Sequence, residues 1–411
     1  MVTHEAGLRT PNAAWLKALE IAILVAAILI SISVILKQSG VVPGAPMDQH
    51  FVETVNIQLL RSNGHWVFQY PNLQHAGGIS SSLTAGLYKL IIPTTHENLN
   101  WHFRIFSMAT LLISSFSLFQ TAIPKNPGLR TAAFLIIATS GFQFLEPTSE
   151  VVTATFLNLF LIAVLRSWPT IVAGLFLALF GLGKVELTLA ATALSLFWCY
   201  WKFRQREKNA WLCLVVTWLW MSALLLPGLV VQGANPFIAS RSTTAFLSAY
   251  TGFMRPHQVQ SLGKLTEGQI TAQTLQRVFD GSTTFPEIVG KHPKLYADYL
   301  GVSAARSIPN LLGVFKFMTI PIIAVFANWK RIHSNRFLVT ASLIAAICIL
   351  APSWMVIFVR MRYIAKVLPA ITAATLAGSL ELKNNNIHRL TIACVVSTIV
   401  YQLAGFSGYQ D

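Results

Sequence analysis

Asp48 stands in the segment Pro46-Met47-Asp48-Gln49-His50-Phe51-Val52-Glu53, just past the first long apolar run, and no other aspartate occurs before residue 280. A carboxylate at the mouth of a membrane protein is costly unless something pairs or uses it. Here it can take the proton of an incoming acceptor hydroxyl, or cap the helix expected to start near Gln49. Far along the chain, Arg360, Arg362 and Lys366 crowd three cations around Tyr363. Guanidinium groups bind phosphate oxygens in a two-pronged fork, although the same side chains also snorkel to anionic head groups. A base facing such cations across one surface describes transfer of a group from a lipid-linked phosphate.

Three further places carry charge where apolar residues dominate. The turn Phe144-Leu145-Glu146-Pro147-Thr148-Ser149-Glu150 holds two glutamates. Together with Asp48 they would do acid–base work or hold a divalent cation; Glu150 would also suit the positive end of the next helix. Lys184-Val185-Glu186 interrupts an apolar hairpin, either as a local ion pair or as a lysine reaching a phosphate or sugar. Arg104, at the start of the second apolar run, is a further phosphate partner, and His75 is a polar candidate in the first long loop. No P-loop, dinucleotide fingerprint, nucleophile elbow or metalloprotease helix motif is present.

The elements that must position these residues follow from composition. Of 411 residues 54% are hydrophobic and 11% charged, against about 25% charged in soluble domains. Apolar runs recur at membrane-crossing length, which predicts an all-α integral membrane protein with spans at 17–36, 102–122, 130–145, 150–165, 168–183, 185–201, 211–231, 311–328, 337–355, 366–380 and 389–405. The net charge of +15 is scattered between these runs with no basic tract, which excludes nucleic acid as the partner. Placing the N-terminus in the cytoplasm gathers Lys125, Arg130, Arg166, Lys202, Arg204, Arg206, Lys208, Lys330, Arg331, Arg336, Lys383 and Arg389 on the inner side, as the positive-inside rule demands. The C-terminus is then outside, and Arg360, Arg362 and Lys366 stand out as cations on the outer face. Cys199, Cys213, Cys348 and Cys394 all lie in or beside apolar runs with no Cys-x-x-Cys pair, so no disulfide framework or zinc site is indicated.

The chain reads as one polytopic domain, 1–411, with two long outer segments. The first, 37–101, predicts a surface helix through Phe51, Val52, Val55, Leu59 and Leu60, and another over 83–92 ended by Pro93. The second, 232–310, carries the capping-box pattern Thr266-Glu267-Gly268-Gln269 before Ile270, Leu275, Val278 and Phe279. Lys291-His292-Pro293 then opens a helix through Tyr296, Tyr299 and Leu300.

With these residues in place the sequence resembles the GT-C superfamily of polytopic glycosyltransferases, which use polyprenyl- or dolichyl-phosphate sugars. The resemblance rests on Asp48 with His50-Phe51, Gly64-His65-Trp66 and Tyr70-Pro71 after span one; on Glu146-Pro147-Thr148-Ser149-Glu150 between spans three and four; and on Arg362-Tyr363 followed by Leu368-Pro369. It implies inverting transfer at the outer or lumenal face, in a bacterium that of the plasma membrane. The donor would be a polyprenyl-phosphate sugar and the acceptor a lipid, glycan or protein. Asp48 would be the base or acceptor anchor and Arg362 would hold the lipid phosphate. Gln49 replaces the second acid that many relatives carry, glutamates replace aspartate in the second turn, and neither Asp-x-Asp nor Trp-Trp-Asp occurs, which sets the chain apart from the oligosaccharyltransferase branch. The rival reading, a secondary transporter or flippase of lipid-linked sugars, expects charges near the bilayer middle and internal symmetry.

The orientation is checked by cysteine substitution. Cysteines at His75 and Ile270 should react with an impermeant reagent added outside intact cells, whereas one at Arg206 should not; labelling at Arg206 would reverse the assignment of faces.

Overall fold

The computed structural model describes residues 13–41, 59–62, 65–68, 96–140, 149–232, 284–356, 361–382 and 385–404, with shorter stretches between 79 and 92, between 243 and 251, at 278–282 and at 359. Backbone polar groups have no water to bond in a bilayer, so apolar runs must fold as helices. These are α1 (Ala13–Val41), α2 (His96–Ala122), α3 (Pro127–Ala138), α4 (Ser149–Leu165), α5 (Thr170–Gly181), α6 (Val185–Arg204), α7 (Leu212–Gln232), α8 (Phe285–Lys291), α9 (Pro293–Phe315), α10 (Thr319–Ala327), α11 (Arg336–Val356), α12 (Met361–Ala365), α13 (Leu368–Glu381) and α14 (Asn385–Leu403). By length and composition the stretches Lys17–Val34, His102–Ala122, Pro293–Ala327 and Arg336–Val356 are long and apolar enough to cross a membrane. The helices α3 and α5 have 12 residues each; at 1.5 Å per residue that is about 18 Å, less than the roughly 30 Å of a hydrocarbon core.

Two expectations are corrected. Leu59 and Leu60 belong to a strand, Leu59–Ser62, paired antiparallel with His65–Phe68. The physical reason is the Asn63-Gly64 pair between them, a two-residue hairpin signal that outweighs an ambiguous helical spacing. The helix opening at Pro293 carries Tyr296, Tyr299 and Leu300 as expected and runs unbroken to Phe315, with Pro309 inside it, so no separate helix begins at 311. The break comes instead at Lys316, whose φ of 49° lies in the left-handed region, followed by a short 3₁₀ turn and α10. Asp48, Glu53, the Thr266–Gln269 box and Ile270 lie outside the described residues, as do Val52, Val55 and Leu275.

The bundle is organised around α13. Every residue from Leu368 to Ser379 is buried, and the helix packs against α2, α3, α4, α10, α11, α12 and α14. Its sequence, Leu-Pro-Ala-Ile-Thr-Ala-Ala-Thr-Leu-Ala-Gly-Ser, is mostly small residues, which let neighbouring backbones approach closely. Gly378 shows the limit: a Cβ there would lie 2.7 Å from Cγ1 of Val325. Around this axis α2 packs on α4, α5 on α7 and α11 on α6. The peripheral α1 is tied in by a bidentate pair, Arg130 Nε to Glu20 Oε1 at 3.0 Å and Nη2 to Oε2 at 2.9 Å.

One end of the bundle collects the basic loops. Arg166 Nε donates to Thr121 Oγ1 (2.9 Å), Lys202 pairs with Glu207 (2.7 Å), and Arg336 lies 5.0 Å over the Trp329 ring. Glu381 closes α13 at this end. Its carboxylate accepts backbone N–H bonds from His333, from Ser334 (2.6 Å) and from Asn335 (3.0 Å). These N–H groups precede the first turn of α11, where a negative charge meets the positive helix end. Burial pushes the Glu381 carboxyl up, but the three donors and the Asn335 side chain outweigh it and hold the group below its ordinary range.

Glu381→Ala should therefore cost about 1.5–3 kcal/mol near neutral pH, the worth of hydrogen bonds to a charged group. Because the folded carboxyl titrates below its unfolded value, the stabilisation is complete above about pH 4.3 and fades as pH falls through the folded pKa. Denaturant unfolding in detergent should show the gap between wild type and variant closing on acidification; a gap independent of pH would contradict the capping role.

Candidate active site

At the end opposite Glu381, four side chains from three parts of the chain converge. Glu150 lies in the first turn of α4 and is 1% exposed. Lys184 is contributed by the three-residue connection Leu182-Gly183-Lys184 between α5 and α6, and its Nζ is 2.6 Å from Glu150 Oε1. The same ammonium lies 5.4 Å from the centroid of the Tyr363 ring. Lys366, in the turn between α12 and α13, is 1% exposed, and its Nζ lies 4.9 Å from that ring centroid. The aromatic face of Tyr363 thus meets two ammonium groups, a contact that strengthens when water is excluded.

Local sequence explains the placement. The α5–α6 connection is pressed onto α4 so closely that a Cβ on Gly183 would lie 2.3 Å from Thr153 Oγ1. A side chain would have to displace Thr153, one turn along α4 from Glu150, and this close approach delivers Lys184 to the Glu150 carboxylate. The connection is held from the residues before α2 as well, since the Ser80 N–H donates to Leu182 O at 3.3 Å. Thr84 Oγ1 in turn donates to Ser80 O (2.7 Å) and the Ile92 N–H to Tyr88 O (2.8 Å). Tyr88 then packs with Phe103 of α2 and Val152 of α4, so this segment caps the same end of the bundle.

Several candidates fall into place here and others do not. Glu150, Lys184 and Tyr363 come together. Lys184 pairs with Glu150, 34 positions away. Glu150 had two expected roles, base or cap; its carboxylate is buried against the lysine. Arg104 follows Phe103 in α2 and is half-buried. Arg362 lies in α12, between α4, α9, α11 and α13, with its backbone described and its side chain not. Asp48, His75, Glu146 and Arg360 lie outside the described residues. Among the described residues no three His, Cys, Asp or Glu side chains cluster to hold a metal ion. The burial of Lys366 was not foreseen; its sequence signal was a lysine one turn before the apolar, small-residue run of α13.

No protein family and no characterised sequence matches the chain. Among solved structures it superimposes on the oligosaccharyltransferase of Archaeoglobus fulgidus in its apo form with a TM-score of 0.55 at 13% identity, covering 95% of this chain and 56% of that one. The same enzyme tethered to an acceptor peptide containing the NVT sequon gives 0.50, again at 13% identity, covering 96% and 55%. This chain therefore spans just over half the length of that enzyme, and at this identity the likeness is one of fold. ArnT from Cupriavidus metallidurans bound to undecaprenyl phosphate aligns over 96% of this chain and 78% of its own at 13% identity, with a TM-score of 0.38, too low to bear on the fold.

Removing one partner of a buried ion pair costs about 3–5 kcal/mol, so Glu150→Gln should destabilise the protein by that order. Adding Lys184→Met should recover most of the loss, because both charges are then gone. Thermal or denaturant unfolding of the two single variants and the double variant checks this; purely additive losses would mean that the pair is not coupled.

Proposed function

We propose that this chain, whose fold is that of the GT-C membrane glycosyltransferases, moves a sugar from a polyprenyl-phosphate carrier to an acceptor hydroxyl or amide at the outer or lumenal membrane face. The observation that supports it best is the convergence of Lys184, Tyr363 and Lys366 with Glu150 at one end of the bundle, on the helical turn that carries Arg362. Cations there suit the phosphate of a lipid whose tail lies in the bilayer and whose head meets the protein at the membrane surface.

In this reading the acceptor attacks the anomeric carbon from the face opposite the phosphate. The bond from that carbon to the acceptor forms as the bond to the phosphate oxygen breaks, which inverts the anomeric centre. The departing phosphate keeps the electron pair, and its charge is met by Arg362 with Lys184 and Lys366. Asp48 takes the acceptor proton. Glu150 holds the Lys184 ammonium in place, and Glu146 is the next carboxylate in line for the base. A divalent cation bound with Asp48 and the Glu146 turn would add to the stabilisation of phosphate charge.

The test separates binding from chemistry. Purified protein should bind undecaprenyl phosphate, and it should release that lipid from an undecaprenyl-phosphate sugar as transfer proceeds. Asp48→Asn keeps the capacity to cap a helix and should bind the lipid as wild type does, while transfer falls about 10²–10⁴-fold, the usual worth of a general base. Asp48→Ala should lose the same activity and in addition about 0.5–2 kcal/mol of stability. An Asp48→Asn protein that transfers sugar at the wild-type rate would assign the residue to capping and move the base to Glu146. Passage of the lipid-linked sugar across a vesicle without transfer would favour a carrier.

A further inference from the structure

α11 ends awkwardly, and α9 makes the end good. The last carbonyls of a helix have no partner within it, and here three of them are met by side chains of α9. Ser303 Oγ donates to Trp354 O at 2.8 Å, Tyr296 OH to Met355 O at 3.1 Å, and Tyr299 OH to Val356 O at 3.0 Å. Two further side chains of the same stripe go beyond the helix end. The Val359 N–H donates to Ser307 Oγ at 2.8 Å, and Asn310 Nδ2 donates to Val359 O at 2.8 Å. Ser307 also gives its own proton to Ser303 O at 2.7 Å, which fixes its oxygen as the acceptor.

Positions 296, 299, 303, 307 and 310 recur every three or four residues, so they form one stripe on α9. Closing the end of α11 needs only the first three. Ser307 and Asn310 together hold both polar groups of Val359, which is 2% exposed and lies two residues before the start of α12. A backbone residue gripped at its donor and its acceptor can neither shift along the chain nor rotate without losing a buried hydrogen bond. Whatever α12 carries is therefore placed by α9.

We propose that Ser307 and Asn310 are positioning residues for the transfer reaction: by fixing Val359 they set where α12 begins, and so where Arg362 and Tyr363 stand relative to Lys184 and Lys366. This rests on the reading of Arg362 as a phosphate-binding residue. Neither side chain touches the donor; both act through the backbone of Val359. Displacements of about 1 Å in a positioned group are enough to cost orders of magnitude in rate, so a buried serine and a half-buried asparagine away from the reacting atoms become decisive for it.

The experiment is a double-variant cycle read by the dissociation constant for undecaprenyl phosphate in detergent micelles, with thermal stability measured on each protein. Asn310→Asp keeps the shape and removes the donor; Ser307→Ala removes the acceptor; Ser307→Thr keeps it. Asn310→Asp and Ser307→Ala should each weaken binding about tenfold, as loss of one buried hydrogen bond allows, and Ser307→Thr should bind as wild type does. In an Arg362→Ala background the same changes should cost less than about twofold, because the group they position is gone. Equal losses in both backgrounds, or no loss at all while Arg362→Ala binds poorly, would overturn the positioning role alone. Wild type and Arg362→Ala binding the lipid equally would overturn the phosphate reading and this role together.

Discussion

The structure depends on a helix that has no outside. α13 is buried at every position from Leu368 to Ser379, so it cannot use the usual division into a core-facing and a solvent-facing stripe. Within a bilayer the hydrophobic effect does not drive helices together, and close packing takes its place. Alanine, threonine, serine and glycine let seven other helices reach the α13 backbone, and Gly378 leaves no room for even a methyl group beside Val325. With this axis fixed in depth by Glu381 at one end, the turn that carries Tyr363 and Lys366 at the other end has a defined height in the bundle.

That height decides the electrostatics of the candidate site. Charges at the end of a membrane bundle can snorkel to water at little cost, yet Lys366 and Glu150 are each 1% exposed. Burying charge is expensive unless geometry compensates. Here a 2.6 Å ion pair and an aromatic ring shared by two ammonium groups provide part of that compensation. Such a pre-set group of charges needs no rearrangement when a substrate charge arrives, which is the property that makes electrostatic stabilisation effective.

Much of this was legible in the sequence. The spans read at 102–122 and 337–355 fall on His102–Ala122 and Arg336–Val356, because long apolar runs between cations leave one solution. The charged break at Lys184 and the glutamate at Glu150 were visible as anomalies, and these two prove to be neighbours. What was not legible was who meets whom. Lys184 meets Glu150, 34 positions away, because the α5–α6 connection is packed on Thr153 of α4. The hairpin at Leu59–Phe68 was hidden by leucines whose spacing suits either structure. The α9 stripe could have been read from Ser303, Ser307 and Asn310 recurring at helical spacing, but its target, the unmatched carbonyls beyond Pro352, belongs to another helix.

The clasp between Glu20 and Arg130 joins residues 110 positions apart. Chains are made at about 5–20 residues per second, so Glu20 emerges roughly 5–20 s before the arginine that will receive it exists. During that interval α1 must already hold its place with Glu20 at the aqueous boundary, beside Lys17, since an unmatched carboxylate would not be left in hydrocarbon. The clasp is thus a statement about birth order: α1 can already lie against α2, and the arrival of α3 supplies the partner that Glu20 lacks until then.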